Sequence, residues 1–290
     1  MAANKTILVT GANGQLGREL RELEAVYPQY HFLFADKEEL PVENAAAIKN
    51  YFTVNTIHYC INCAAYTAVD KAENEKGAAF LINATAVGNL AAACQTFKVQ
   101  LIHISTDYVF DGTAKQPYKE TDLINPVNFY GQSKLKGEAL ALQNNPAAII
   151  VRTSWVYSRF ANNFVKTMLR LMKERGSITV VNDQFGCPTY AADLANAIMQ
   201  IINTSSIPNF SARIFNYCNE GVITWYDFAV AIKELSGSNC IVNPIPSSQY
   251  PTPAKRPQYS VLDTTSIKDT FNVQIPGWKE SLEKCLLLLK

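Results

Sequence analysis

An α/β fold, a doubly wound parallel sheet followed by a smaller C-terminal α/β domain, is what this 290-residue sequence predicts. Three observations predict it. Five compact apolar runs, at 5–10, 30–35, 57–63, 100–105 and 148–153, lack strict alternation, as strands buried on both faces of a parallel sheet do. Amphipathic stretches with the length of crossover helices lie between them, at 15–26, 43–51, 73–97 and 130–143. A glycine-rich turn, Gly11-Ala12-Asn13-Gly14-Gln15-Leu16-Gly17, leaves the first run and opens the first helix. Together these describe a Rossmann-type sheet.

Each element follows in order. The first strand, Thr6-Ile7-Leu8-Val9 at its centre, starts so close to Met1 that no signal or transit segment is expected. The second strand ends at Asp36, the third at Asn62-Cys63-Ala64-Ala65-Tyr66, the fourth at Ser105-Thr106 and the fifth at Arg152-Thr153. In a doubly wound sheet these carboxyl ends border the ligand crevice. After residue 155 the texture changes: helices at 162–175 and 191–202 alternate with short strands and Pro-bearing loops, and a helix at 278–289 closes the chain. The Pro-rich stretch from Asn243 to Pro257 predicts a long ordered loop near a ligand, with no regular element in it. Residues 1–156 therefore read as a dinucleotide-binding domain and 157–290 as a substrate-binding domain that shares some elements with the sheet.

Bulk properties exclude several classes. A formal net charge of +1 offers no basic field for nucleic acid or anionic membrane. No uninterrupted apolar run approaches the roughly 20 residues of a membrane helix. Seven cysteines, an odd number scattered through apparent core elements, suit a reducing, cytoplasmic compartment. Cys60 and Cys63 lie three apart on a strand, so their side chains point to opposite faces and make no redox or zinc pair. His31, His58 and His103 are far apart in sequence, so no metal site and no histidine triad is expected.

The motifs carry the chemistry. Gly11, Gly14 and Gly17, with Asn13, Gln15 and Leu16 between them, form a turn whose backbone can approach a pyrophosphate at a helix N-terminus. Asp36, nineteen residues after Gly17, is either a ribose ligand that favours NADH over NADPH or a plain loop aspartate, and the adjacent Lys37 offsets its charge. Ala64, Ala65 and Tyr66 either let a dinucleotide pass close to backbone or pack a strand–helix turn. Thr106 is placed to hydrogen-bond a substrate carbonyl, and Asp107 holds a sugar hydroxyl or caps a turn. Tyr130 is the only tyrosine of fourteen followed by lysine four residues on, so Tyr130 and Lys134 share a helical face. A phenol ordinarily titrates near 10, and a neighbouring ammonium together with the nicotinamide cation is expected to lower that value and make Tyr130 a proton donor. Trp155 stacks on a sugar or nucleobase, or belongs to an interdomain core. Lys255 and Arg256 bind a substrate phosphate, or are solvated charges.

Taken together these stretches resemble the extended short-chain dehydrogenase/reductases and, within them, the dTDP-4-dehydrorhamnose reductases. The marks are Gly14-Gln15-Leu16-Gly17, 62–73, Ser105-Thr106-Asp107-Tyr108-Val109-Phe110-Asp111-Gly112 and Tyr130-Gly131-x-x-Lys134-x-x-Gly137-Glu138. Further marks are Arg152-Thr153-Ser154-Trp155-Val156-Tyr157, Asp183-Gln184-Phe185-Gly186-Cys187-Pro188-Thr189 and Arg256-Pro257-x-x-Ser260-x-Leu262-Asp263. The resemblance covers nearly the whole chain. It implies NAD(P)H-dependent reduction of a 4-keto dTDP-sugar, catalysed by Thr106, Tyr130 and Lys134, with Asp107 and Trp155 on the sugar nucleotide. Cofactor contacts are implied at Gly14-Gln15-Leu16, Asp36, Ala64-Ala65-Tyr66, Tyr130 and Lys134.

The chain departs from the family after the second strand, where Leu40-Pro41-Val42-Glu43 replaces a common aspartate-led stretch near the adenine. Some members dimerise through magnesium held by surface glutamates. Glu19 matches one such position, but Ala191-Ala192-Asp193 offers no glutamate where another is expected. A metal-bridged dimer is therefore not expected, and the chain reads as a monomer or homodimer. The rival readings are another nucleotide-sugar reductase, epimerase or dehydratase, and a non-catalytic regulatory subunit of the same fold. Dehydratases follow the threonine with Asp-Glu, whereas here Asp107 is followed by Tyr108.

Overall fold

The computed structural model describes residues 5–204 and 214–289. In chain order the first half contains β1 (Lys5–Thr10), α1 (Gln15–Glu22), β2 (Tyr30–Ala35), α2 (Ala45–Val54), β3 (Tyr59–Asn62), α3 (Val69–Ala72), α4 (Lys76–Phe80), α5 (Ala86–Phe97), β4 (Gln100–Thr106), α6 (Phe129–Asn144) and β5 (Ile149–Thr153). The second half adds β6 (Val156–Tyr157), α7 (Phe164–Glu174), β7 (Ser177–Val181), β8 (Phe185–Gly186), β9 (Thr189–Tyr190), α8 (Ala191–Asn203) and β10 (Ile214–Tyr217). It closes with β11 (Ile223–Thr224), α9 (Trp225–Ser236), β12 (Ile241–Ile245), α10 (Thr265–Phe271) and α11 (Trp278–Leu287).

The branched and aromatic runs form a six-stranded, all-parallel sheet in the order β10-β5-β4-β3-β1-β2. The order reverses between β1 and β3, which opens a crevice at their carboxyl ends. Register brings polar residues to that edge: Thr10 pairs with Asn62, and Thr106 with Thr153. One face is covered by α1, α8 and α10, which contribute Leu16, Leu20, Ile198 and Phe271 to the core. The other is covered by α2, α5 and α6 through Ile48, Phe52, Leu90 and Ala141. β10 and α8 return from the second half to the sheet, so the two halves share one core. The smaller layer packs α7, α9 and α11 around Met168, Phe228 and Leu282, against two-stranded pairs that include β7–β12.

Two elements differ from their sequence expectation. The helix expected over 73–97 starts at Lys76 and carries a π turn at Leu81–Thr85, which joins α4 to α5. A Cβ on Gly137 of α6 would lie 2.0 Å from the Asn83 carbonyl in that turn, so close packing holds the irregularity. Residues 76–97, excluded above as a membrane span, do reach the length and hydropathy of one, because alanines raise their average; half of that window is buried inside the protein. Finally, the Pro-rich stretch begins inside a strand. β12 carries Pro244 and pairs in parallel with β7. Ile241 donates to the Gly176 carbonyl and the Ile245 carbonyl accepts from Asn182. Alternation along the strand therefore turns the nitrogen of Pro244 outward, where no donor is needed.

Candidate active site

The glycine turn is shaped by close approach. Gly11 has φ +66°, and a Cβ there would lie 2.6 Å from the Ala64 nitrogen. A Cβ on Gly17 would lie 2.6 Å from the Gly11 carbonyl. Only glycine fits both positions. Gly14 precedes α1 with no side-chain cap, so the first N–H groups of that helix stay available to an anion. A pyrophosphate fits this cradle. Leu16 is buried in the core, so only its backbone faces the turn. Gln15 does something the sequence did not show. Its amide donates to the Val156 carbonyl (3.3 Å) and accepts from Asn163 (2.9 Å), tying the turn to the second half.

Asp36 stands at the end of β2 beside the cradle. Its carboxylate accepts from the backbone of Glu38 and Glu39 and from the Asn13 amide at 2.9 Å. The Glu39 and Glu38 N–H bonds hold it below the usual carboxylate range, so it is a stable anion beside the glycine turn.

At the end of β3, Asn62 accepts from the Thr10 hydroxyl (2.7 Å) and the Ala64 N–H (3.2 Å). With its oxygen committed, its NH2 donates to His103 Nδ1 at 3.0 Å. Burial keeps that imidazole neutral, far below its ordinary value, as an acceptor must be. Of the next residues, Ala64, Ala65 and Tyr66, the first packs its backbone directly on Gly11. Tyr66 is clamped through its backbone: its N–H donates to Asn83 Oδ1 (2.8 Å) and its carbonyl accepts from Asn83 Nδ2 (3.0 Å). Asn83 also donates to Ser133 of α6, so the π turn binds the β3 loop to that helix. The only signal for Asn83 in the sequence is an amide inside an otherwise apolar helix.

Thr106 ends β4, where its hydroxyl accepts from the Tyr108 N–H (3.2 Å) and donates to Asp107 (3.0 Å). Asn128 caps α6 by accepting from the Gly131 N–H at 2.8 Å. That cap sets Tyr130 in the first turn of the helix. A Cβ on Gly131 would lie 2.2 Å from the Tyr108 carbonyl, so the helix start packs directly on the turn after β4. The Tyr130 ring meets Tyr108 edge-on, with centroids 5.8 Å apart.

Burial pushes the Tyr130 phenol up to about 12, against a lowering by Thr106. The sequence expectation was a phenol lowered by Lys134, and the structure differs because the phenolate has lost water and the ammonium is engaged elsewhere. Lys134 is 2 % exposed and donates to the Ile104 carbonyl at 2.6 Å. Its desolvation lowers it to about 8, with Glu138 opposing. Glu138 is itself paired with buried Arg152 at 2.7 Å and hydrogen-bonded by Ser105. Asp107 is raised to about 7 by burial, with the Ser260 and Thr106 hydroxyls opposing.

On the far side of the crevice Trp155 has φ +48° and stacks on Trp225, with centroids 3.5 Å apart and planes 11° from parallel. A Cβ on Gly186 would lie 2.5 Å from the Trp155 ring. Arg256 is no free surface charge. It donates to both Asp70 carboxylate oxygens, at 2.9 and 2.7 Å, and so joins the Pro-rich loop to α3. Arg256, exposed Lys255 and Asp111 line a polar cavity of about 390 Å³. Asp70 lies in the 62–73 stretch, but nothing in that stretch points to Arg256, and Trp225 carries no sequence signal.

Glu19 is buried, at 4 % exposure, so it is no surface glutamate. Burial raises it to about 7, with Arg159 opposing. Among the described residues no His, Cys, Asp or Glu cluster is arranged to hold a metal ion. Cys60 joins one sheet-face core, and Cys63 packs against the other.

Comparison with known proteins agrees with this geometry. The family model described as RmlD substrate binding domain matches residues 5–290. A dTDP-4-dehydrorhamnose reductase of Aggregatibacter actinomycetemcomitans is 41 % identical over 284 residues, covering 96 % of this chain and 97 % of that protein. The crystal structure of a dTDP-4-dehydrorhamnose reductase from Clostridium acetobutylicum superposes with a TM-score of 0.93 at 41 % identity, over 98 % of this chain and 99 % of that one. That of the Bacillus anthracis dTDP-4-dehydrorhamnose reductase in complex with NADP also reaches 0.93, at 38 % identity over 98 % and 99 %. With near-complete coverage, the glycine cradle and the Thr106, Tyr130 and Lys134 edge in one chain, this protein belongs to the dTDP-4-dehydrorhamnose reductase family.

Proposed function

We propose that this protein reduces the 4-keto group of dTDP-4-dehydro-β-L-rhamnose to give dTDP-L-rhamnose, with NADPH or NADH as reductant. The observation that carries the reading is the convergence of Thr106, Tyr130 and Lys134 on the crevice beside the glycine cradle. A reduced nicotinamide bound there supplies the hydride. Tyr130, protonated at neutral pH because burial raises it, gives its proton to the carbonyl oxygen. The Thr106 hydroxyl turns from Asp107 to donate to the same oxygen and polarises the ketone. Lys134 anchors the nicotinamide ribose and keeps positive charge beside the forming phenolate. Asp36 receives ribose hydroxyls, and its neighbour Lys37 tempers the repulsion of a 2′-phosphate. Asp107 and Trp155 border the sugar, and Arg256 faces the diphosphate.

Residues 1–156 hold the dinucleotide in this reading, and 157–290 supply most of the substrate side. The protein works in the cytoplasm as a monomer or homodimer. The test is oxidation of NADPH and NADH with enzymatically generated dTDP-4-dehydrorhamnose. Substrate-dependent loss of reduced-nicotinamide absorbance is expected. Folded protein that binds both cofactors and oxidises neither overturns the reading.

A further inference from the structure

Asn128 makes two hydrogen bonds in opposite directions. Its side-chain oxygen accepts from the Gly131 N–H at 2.8 Å, the cap that sets Tyr130 in the first turn of α6. Its side-chain nitrogen donates to the Lys255 carbonyl, also at 2.8 Å and 127 residues away in sequence. The Gly131 N–H only donates and the Lys255 carbonyl only accepts, so the two partners together fix which way the amide faces. Asn128 is 3 % exposed, so both bonds are sheltered from water. A helix cap needs only an oxygen, which serine, threonine or aspartate supplies as well. The amide nitrogen is the part that capping leaves unexplained.

Lys255 belongs to the Pro-rich loop that carries the substrate-side charge, and with Arg256 it lines the polar cavity beside the crevice. The backbone of this loop is held at three points. The Ala254 N–H donates to Asp70 Oδ1 at 3.1 Å, Pro257 packs so closely on Gly112 that a Cβ there would lie 2.4 Å from the proline Cβ, and the Lys255 carbonyl takes the Asn128 bond. Prolines at 251, 253 and 257 have no N–H to donate, which limits the bonds the loop can make within itself. Of its three anchors, Asn128 is the one that stands two residues before Tyr130. Asn128 is thus a hydrogen-bonded joint between the substrate-side loop and the helix of the proton donor.

We propose that Asn128 is a positioning residue that locks this loop to the start of α6, so that Arg256 and Tyr130 are held at one spacing across the substrate. The inference deepens the proposed reduction and rests on that reading, in which the diphosphate meets Arg256 while the ketone meets Tyr130. A substrate gripped at both ends needs its two contacts at a fixed separation, and an error of about 1 Å costs on the order of a hundredfold in rate.

Asn128→Ser tests it, because serine keeps a capping oxygen but its short hydroxyl cannot span both partners. With NADPH saturating, the KM for the keto-sugar nucleotide is expected to rise roughly five- to thirtyfold, the cost of a buried carbonyl left without its donor, and kcat to fall less than about threefold. Amide hydrogen exchange is the second readout: 251–258 should exchange faster than in wild type, and 129–134 at the wild-type rate. Asn128→Ala loses the cap as well, so its kcat should fall about tenfold further and 129–134 should lose protection. A cap with no locking role leaves both the KM and the exchange of 251–258 at wild-type values in the serine variant, and that result overturns the proposal. Should Asn128→Ser fail to fold, Asn128→Asp decides by the same readouts, since it keeps the cap and the size but turns an oxygen toward the Lys255 carbonyl. A wild type that reduces no dTDP-4-keto sugar tells against the proposed activity, and the exchange of 251–258 then decides the lock alone.

Discussion

Thr106 and Tyr130 come from different elements, the end of β4 and the first turn of α6, and the fold brings the threonine hydroxyl close enough to favour the phenolate of Tyr130. Burial raises the phenol to about 12 while the threonine opposes it, so Tyr130 holds its proton at neutral pH. The proposed reduction needs that state, because in it Tyr130 gives a proton to the ketone oxygen.

Tyr130→Phe keeps the ring and removes the transferable proton. The kcat is expected to fall about 10²- to 10⁴-fold with cofactor affinity unchanged. Steady-state kinetics and a cofactor titration check it, and wild-type turnover in this variant sinks the proton-donor role.

Lys134 is lowered to about 8, so its charge is lost as pH rises through that value. The kcat/KM profile is expected to bend downward near pH 8. Lys134→Arg carries a charge that does not titrate, so whatever activity it retains should lack that bend. A bend preserved in the arginine variant assigns it to another group.

Gly131→Ala places a Cβ 2.2 Å from the Tyr108 carbonyl. Backbone cannot yield as a flexible side chain does, so the start of α6 must shift and carry Tyr130 with it. A loss of about 1–3 kcal/mol in stability and a lower kcat are expected, from thermal unfolding and kinetics together.

Asp107 is raised from the model-compound 3.8 to about 7 by burial. The folded state therefore binds this proton more tightly than the unfolded chain, and stability is lost as pH rises between those two values. Asp107→Asn removes the titration. It should unfold several degrees above wild type at pH 8 and close to it near pH 4, where the aspartate is largely neutral in the fold. Equal melting temperatures at pH 8 contradict this.

Asp70→Asn breaks the bidentate pair with Arg256. The pair is partly exposed, so global stability should change by no more than about 1 kcal/mol. Arg256 loses the anchor that holds it over the crevice, and the KM for the sugar nucleotide should rise severalfold while that for NADPH holds. A KM unchanged for both separates Arg256 from the substrate.

Local rules placed the main elements. Uninterrupted apolar runs and crossover-length helices gave β1, β2, β4 and β5 to within a residue or so, since strands buried on both faces leave that pattern wherever they occur. Gly11 and Gly17 were legible as a cradle because only glycine permits their close approaches. The π turn in the helix over 73–97 was not legible, because it packs on Gly137, more than fifty residues away. Pro244 misled the reading of 243–257, because a proline's compatibility with a strand depends on which side of the strand a partner lies.

The sequence by itself determined the sheet and the glycine turn, because each follows from spacing along one short segment. Tertiary structure decided the rest. It set the protonation of Tyr130, Lys134 and Asp107, through burial that no local pattern encodes. It paired Arg256 with Asp70, 186 residues apart, and stacked Trp155 on Trp225. Desolvation and stacking are properties of what surrounds a side chain, and those surroundings come from segments distant in sequence that meet only when the two halves pack together.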